Sequence, residues 1–295
     1  MHNLQIKKFN PSVLEKATLI TNGSNFMYTY YLKNGDILKV LKRREALPYR
    51  LAYSYYDFIR SLNFKLRQSS QLDVEEVVLP NAMYMDGDIL IGYSVPYFDM
   101  MSLDDFLKEN HDIETINDIF YRLGDVVKKA NSQGIIMPDL GNANNVLINP
   151  KTKEIKLIDY DGLQIKGANS FSISKLMSGS DNPIFKGCKY FDSFSMLFSK
   201  EFDKATLLAL YLYYTTKTNV TQFGHDDFET KGCMIRLKQE SLDRYLSEIG
   251  LKDSPLEEDV NLLYMNADNH YLNTGIKRLV KDYKLDQEKH IFVKR

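Results

Sequence analysis

Two Gly-containing turns, each set between apolar runs, constrain the first hundred residues more than anything else in the chain. Met27–Leu32 and Asp36–Leu41, rich in Tyr, Ile, Val and Leu, flank Lys33-Asn34-Gly35. Asn-Gly between such runs signals a hairpin, because both residues tolerate positive φ. Ala82–Met85 and Ile89–Tyr93 repeat the pattern across Asp86-Gly87. Between the two hairpins Leu51, Tyr55, Phe58, Ile59 and Leu62 recur at helical spacing, and Pro48 suits a first turn. The order strand, strand, helix, strand, strand predicts an antiparallel sheet with one helix.

After Pro96 the period changes. Ser102-Leu103-Asp104-Asp105 is a Ser-x-x-Asp helix start. Ile113, Ile116, Ile119, Phe120, Leu123, Val126, Val127 and Ala130 then keep a helical period, and Gly134 follows as a C-terminal cap. A polar loop, Met137–Asn145, leads into a third hairpin, Val146–Asn149 and Ile155–Ile158. Leu163–Lys200 reads as a long Ser-, Gly- and Lys-rich loop, Thr206–Thr215 as a buried helix, and the pattern from Glu201 onward as helical.

Composition narrows the classes. The 295 residues carry 38 Lys+Arg against 39 Asp+Glu, a net charge of −1 that argues against nucleic acid as a partner. Cys188 and Cys233 are the only cysteines, too few for a disulfide framework or a Cys-rich zinc site. No apolar run is long enough for a membrane span, and Met1–Pro11 lacks the apolar core of a secretory signal, so a cytoplasmic protein is expected.

Gly134–Gly162 carries the chemistry. Asp139 lies in the loop after the long helix, Asn144 and Asn145 stand just before a short apolar strand, and Asp159 ends the partner strand. A hairpin turns both strand ends to one edge, where carboxylate and amide oxygens suit Mg²⁺. An acid beside that ion is placed to accept a hydroxyl proton, as phosphoryl transfer requires.

This stretch, Gly134-Ile135-Ile136-Met137-Pro138-Asp139-Leu140 through Asn145-Val146-Leu147-Ile148 to Asp159-Tyr160-Asp161-Gly162, resembles the catalytic loop and metal motif of the protein kinase-like superfamily, in the manner of a divergent bacterial-type Ser/Thr kinase-like protein. Asp36-Ile37-Leu38-Lys39-Val40 resembles the strand that carries the phosphate-pairing lysine. Thr21–Phe26 lies where the glycine-rich loop belongs, and Tyr93–Phe98 resembles the segment between lobes. The resemblance implies a bilobed α+β fold, with a small antiparallel-sheet lobe over residues 1–95 and a mainly helical large lobe over residues 96–295.

It also implies an ATP- and Mg²⁺-dependent kinase that moves the γ-phosphoryl group to a hydroxyl, Ser/Thr of a protein being the first expectation. A pseudokinase that binds nucleotide or a partner without turnover is one alternative. A small-molecule kinase of the antibiotic or sugar type is the other. Carried over residue by residue, Asp139 and Lys39 would be catalytic. Gly23, Ser24, Lys39, Val95, Tyr97 and Phe98 would bind ATP. Asp159 with Asn144 or Asn145 would hold the metal, and Asp203 would brace the catalytic loop. The chain departs from the family where Met137 and Pro138 replace its His and Arg, and where the helix Pro48–Leu62 contains no Glu. Asp57, with Glu45 as runner-up, is then the expected carboxylate partner of Lys39. Asp161 replaces the motif glycine, to add metal charge or to cap a turn.

Overall fold

A computed structural model of the protein describes residues 2–21, 26–109, 111–168, 170, 191–192, 197–217, 225–231, 234–255, 257, 279 and 281–295. The architecture is α+β. The chain divides into two compact units, Met1–Met100 with Lys156–Asp161, and Met101–Ile155 with Gly162–Arg295. The expected division at residues 95 and 96 makes no provision for Lys156–Asp161. That segment returns to the first unit through main-chain bonds, Leu157 N–H to Glu76 O at 2.7 Å and Val78 N–H to Leu157 O at 2.8 Å.

The first unit is built on a six-stranded sheet. Its strands are β1 (Gln5–Lys8), β2 (Thr18–Thr21), β3 (Met27–Tyr31), β4 (Asp36–Leu41), β5 (Ala82–Asp86) and β6 (Ile89–Pro96), in the order β1-β5-β6-β4-β3-β2. Both expected hairpins form, β3 with β4 and β5 with β6. In the first turn only Gly35 takes positive φ, and Leu32 N–H bonds Asp36 O at 2.9 Å. The turn therefore uses one left-handed residue, not the pair that Asn-Gly suggested.

Two further strands enlarge the sheet, and one changes its character. β1 runs parallel to β5, so the sheet is mixed where an antiparallel one was expected. All four residues of β1 are exposed; it is held by main-chain pairing and leaves no apolar alternation in the sequence. Along β4, Leu38 and Val40 pack with Leu32, Ala82 and Tyr84 on one face, where Phe9, Val13, Leu14 and Ala17 cover them. Successive side chains alternate, so Lys39 points to the opposite face.

Helix α2 runs from Tyr49 to Gln68, six residues past the expected end, and α1 is the short Ser12–Glu15 turn. Phe58 of α2 stacks on Phe26 with ring centroids 4.4 Å apart, and Leu62 and Leu66 are fully buried.

In the second unit Ser102 caps α3 (Leu103–Lys108) as its spacing predicts, accepting from Asp105 N–H at 3.0 Å. Helix α4 (Ile113–Ser132) begins at an Asp112 cap and ends before Gly134, whose φ of +76° terminates the helix. Helix α5 (Lys200–Thr216) is the expected buried helix: Phe202, Leu207, Leu208, Leu210, Tyr211 and Leu212 are all buried. Tyr211 packs edge-on to Phe120 of α4 at 5.2 Å and donates to Asn117 Oδ1 at 2.9 Å. Helix α6 spans Gln239–Glu248.

The region after Glu201 is not helical throughout. Phe228–Lys231 pairs with Met234–Leu237, and Tyr283–Asp286 with Ile291–Lys294. These are short two-stranded ribbons; Ile291-Phe292-Val293 is the β-favouring run that marks the second of them. Much of the expected Leu163–Lys200 loop, and both cysteines, lie outside the described residues. Among the described residues no helix is long and apolar enough to cross a membrane.

Candidate functional site

The expected site residues fall into two clusters, one in each unit. In the first, Lys39 stands at the middle of β4, directly opposite Tyr93 of β6 in the antiparallel register. Gly92, next to Tyr93, lies so close to the Lys39 backbone that a Cβ there would collide with the Lys39 carbonyl; glycine allows this approach. The Lys39 ammonium donates to Asp159 Oδ1, and to Asp161 Oδ1 at 2.5 Å. Tyr93 Oη donates to the same Asp161 oxygen at 2.5 Å. Lys65 of α2, fully buried, donates to the Asp161 carbonyl at 2.6 Å, and Tyr160 Oη donates back to the Lys65 carbonyl at 2.6 Å.

The electrostatics follow from burial and pairing. Burial works against the Lys39 charge, but Asp159 and Asp161 hold its ammonium well above the ordinary lysine range. Burial pulls Lys65 down to about 8. Burial, with Asp161 alongside, pushes the Asp159 carboxyl up. Burial also presses on Asp161, yet the Lys39 ammonium, the Tyr93 hydroxyl and Lys65 hold it below the usual carboxylate range. Asp159 has a φ of +70°, a left-handed conformation that Asp tolerates better than most residues and that ends the preceding strand.

The expected partners of Lys39 are corrected here. Asp57 lies on the exposed side of α2 and pairs with Arg60 at 3.6 Å. Glu45 is exposed in a single helical turn before α2. Neither carries the pairing, because α2 turns Lys65 inward where an acid was sought. Asp161 neither stands clear for added metal charge alone nor serves only as a turn cap; it is the second anchor of Lys39.

Of the residues expected to meet adenine, Val95 pairs with Ile37 inside the sheet. Tyr97 is half-exposed, and its backbone N–H is taken by Gly35 O at 3.2 Å. Phe98 receives the Lys156 ammonium over its ring at 5.6 Å. Gly23 and Ser24 lie outside the described residues.

The second cluster is the loop between β7 (Ile135–Ile136) and β8 (Val146–Ile148). Asn145 closes a single helical turn, Ala143–Asn145, and its Nδ2 donates to Asp139 Oδ2 at 3.0 Å. Asn144 is exposed and reaches only Asn142, at 3.4 Å. The geometry thus sets Asn145 against Asp139 and turns Asn144 away. Asp203, fully buried on α5, accepts from Met137 N–H at 2.9 Å and from Asn131 Nδ2 at 2.7 Å. The bond to Met137 is made by main chain, so the loop is braced whatever side chain occupies that position.

Asp203 carries a pH dependence. Burial pushes its carboxyl up to about 7, against the two hydrogen bonds it accepts. An acid raised in the folded state contributes stability that is present below its ordinary value near 3.8 and is lost as pH rises to about 7. Between pH 4 and pH 8 the loss is on the order of 4 kcal/mol. Asp203→Asn cannot titrate, so its stability relative to wild type is expected to improve by that amount over the same interval in urea unfolding. A gap that stays constant with pH would show that Asp203 remains ionised throughout.

Among the described residues no group of three or more His, Cys, Asp or Glu stands together as a metal site. Sequence reasoning missed Tyr93 and Lys65. The one signal available was Lys65 itself, a cation set in the apolar stripe of Phe58, Leu62 and Leu66.

No protein-family model matches the chain, and no curated protein matches it in sequence. Among solved structures it is similar to the kinase PK-1 of Cydia pomonella granulovirus, at 15% identity and a TM-score of 0.48, over 85% of this chain and 88% of that one.

Proposed function

We propose that the protein is a kinase-type phosphotransferase that moves the γ-phosphoryl group of ATP to a hydroxyl, most simply a Ser or Thr of a protein. The observation that carries this reading is the buried cluster of Lys39 with Asp159 and Asp161. A lysine fixed between two carboxylates on a sheet supplies a localised cation for phosphate oxygens. Asp159 fits a hard divalent ion: it offers carboxylate oxygens, is the more accessible of the two acids, and carries a charge that burial and Asp161 disfavour. Mg²⁺, when bound, neutralises phosphate charge.

The other roles belong to this chain's side chains. Lys39 would contact the α- and β-phosphates. Asp159 would hold the metal; of the Asn pair, Asn145 is the member set against Asp139. Asp139 would orient the acceptor hydroxyl and take its proton, with the Asn145 amide fixing its carboxylate. Asp203 would hold the loop that carries Asp139. Backbone groups of the Val95–Phe98 segment would meet adenine without the Tyr97 N–H, which is already bonded.

The reading is tested by calorimetric titration of ATP with and without Mg²⁺. Wild type is expected to bind ATP in a Mg²⁺-dependent way, and Asp159→Asn to lose about tenfold or more in affinity with Mg²⁺ present, in line with loss of one charged ligand. ATP affinity that is indifferent to Mg²⁺ in both proteins would remove Asp159 from the metal role.

A further inference from the structure

We propose that Asp161 is the positioning residue for Lys39, and that Tyr93 and Lys65 hold Asp161 in place for this purpose. The inference rests on the reading of Lys39 as the phosphate-pairing lysine and adds where its partner comes from: the acidic motif itself, not the helix.

Three anchors meet at Asp161. Its Oδ1 accepts from Lys39 Nζ and Tyr93 Oη, both at 2.5 Å, and its carbonyl accepts from Lys65 Nζ at 2.6 Å. A carboxylate oxygen has two lone-pair sites, so Oδ1 is filled by these two donors. The side chain is only 5% exposed, against 23% for Asp159. One acid of the motif is thus committed to protein groups, while the other is the more open. Tyr93 faces Lys39 across adjacent strands, so the lysine and the hydroxyl that anchors its partner are set by one register.

Helix α2 takes part with the opposite charge from the one sought in it. Its acid Asp57 faces outward to Arg60, whereas its base Lys65 is buried and grips the motif's main chain. Tyr160 Oη completes the link by bonding the Lys65 carbonyl. A lysine stem has several rotatable bonds, and two carboxylates fix its ammonium before any phosphate arrives. The position of Lys39 therefore depends on the conformation of residues 159–161, and that conformation depends on α2.

The test uses the full chain with Asp161→Asn, Tyr93→Phe and the double variant. The readouts are KM and kcat for ATP, the Mg²⁺ requirement, and the rate at which an amine-reactive probe labels Lys39 without nucleotide, followed by mass spectrometry. Asp161→Asn is expected to raise KM for ATP about tenfold, with a smaller change in kcat, and to speed labelling of Lys39. Tyr93→Phe, which keeps the carboxylate and a nearly identical shape, is expected to move both in the same direction by less. The double variant is expected to be no worse than Asp161→Asn, because the two residues act through one contact.

Unchanged labelling of Lys39 in both variants, with circular dichroism matching wild type, would overturn the proposal. So would an Asp161→Asn protein whose Mg²⁺ requirement rises while its KM at saturating Mg²⁺ stays put, since that is the behaviour of a metal ligand. If Asp161→Asn does not fold, Tyr93→Phe decides: faster labelling supports the contact and unchanged labelling sinks it. Faster labelling in a wild-type background that binds no ATP would leave the Asp161 contact standing while the phosphotransfer reading fails.

Discussion

Lys39→Met is expected to be the most damaging single substitution for stability, at about 3–5 kcal/mol, because it strips the compensating charge from buried carboxylates. Methionine keeps most of the stem volume, so packing is not the cause. What is lost is the partner of Asp161, which is 5% exposed, and of Asp159 at the strand end. The pH dependence separates this cause from a packing defect. In wild type the Asp161 carboxyl sits below its usual range, so its contribution is present above the ordinary carboxylate value and is lost as pH falls through the lower folded value. Without Lys39, burial dominates and pushes that carboxyl up, which reverses the sign. Acid then stabilises the variant by letting the buried acid become neutral. The stability gap between Lys39→Met and wild type is therefore expected to narrow from pH 8 to pH 5. Circular dichroism reads it, the chain having no tryptophan to report. A gap that is equal at both pH values would point to packing.

Asp139→Ala is expected to have the largest effect on turnover and almost none on nucleotide affinity. A positioned general base contributes roughly 10²–10⁴-fold to rate, and the variant should lose that factor in transfer while its ATP affinity stays within about twofold of wild type. The Asp139 carboxylate, oriented by Asn145 Nδ2 at 3.0 Å, is only partly buried, so the fold should survive its removal. Rapid-quench measurement of transfer, beside calorimetry of ATP binding, makes the comparison. Parallel loss of binding and transfer would mean that Asp139 supports the loop and not the proton.

Local chemistry made much of the fold legible. Gly35 and Gly87 marked the hairpin turns, Ser102 with Asp105 marked a helix start, and Gly134 marked a helix end, each because the backbone there needs what that residue supplies. Strand β1 was invisible, since an exposed edge held by main-chain bonds writes no pattern into its side chains. The late ribbons were missed because each is only four residues per strand.

In the candidate site, Lys39 and Asp159 were reached through motif order. The partner of Lys39 was not, because α2 turns a base, Lys65, inward where the family pattern has an acid, and the acid comes instead from Asp161. That Asn145 and not Asn144 bonds Asp139 depends on the helical turn at Ala143–Asn145, which spacing alone does not encode.

Following the γ-label of ATP in the presence of wild-type protein, Mg²⁺ and hydroxyl acceptors measures γ-phosphoryl transfer directly. The expected result is Mg²⁺-dependent appearance of label in a phosphate ester of Ser or Thr, absent with Asp139→Ala. ATP that binds with Mg²⁺ but never gives up its label to protein, sugar or aminoglycoside hydroxyls would contradict the account and leave a nucleotide-binding module without turnover.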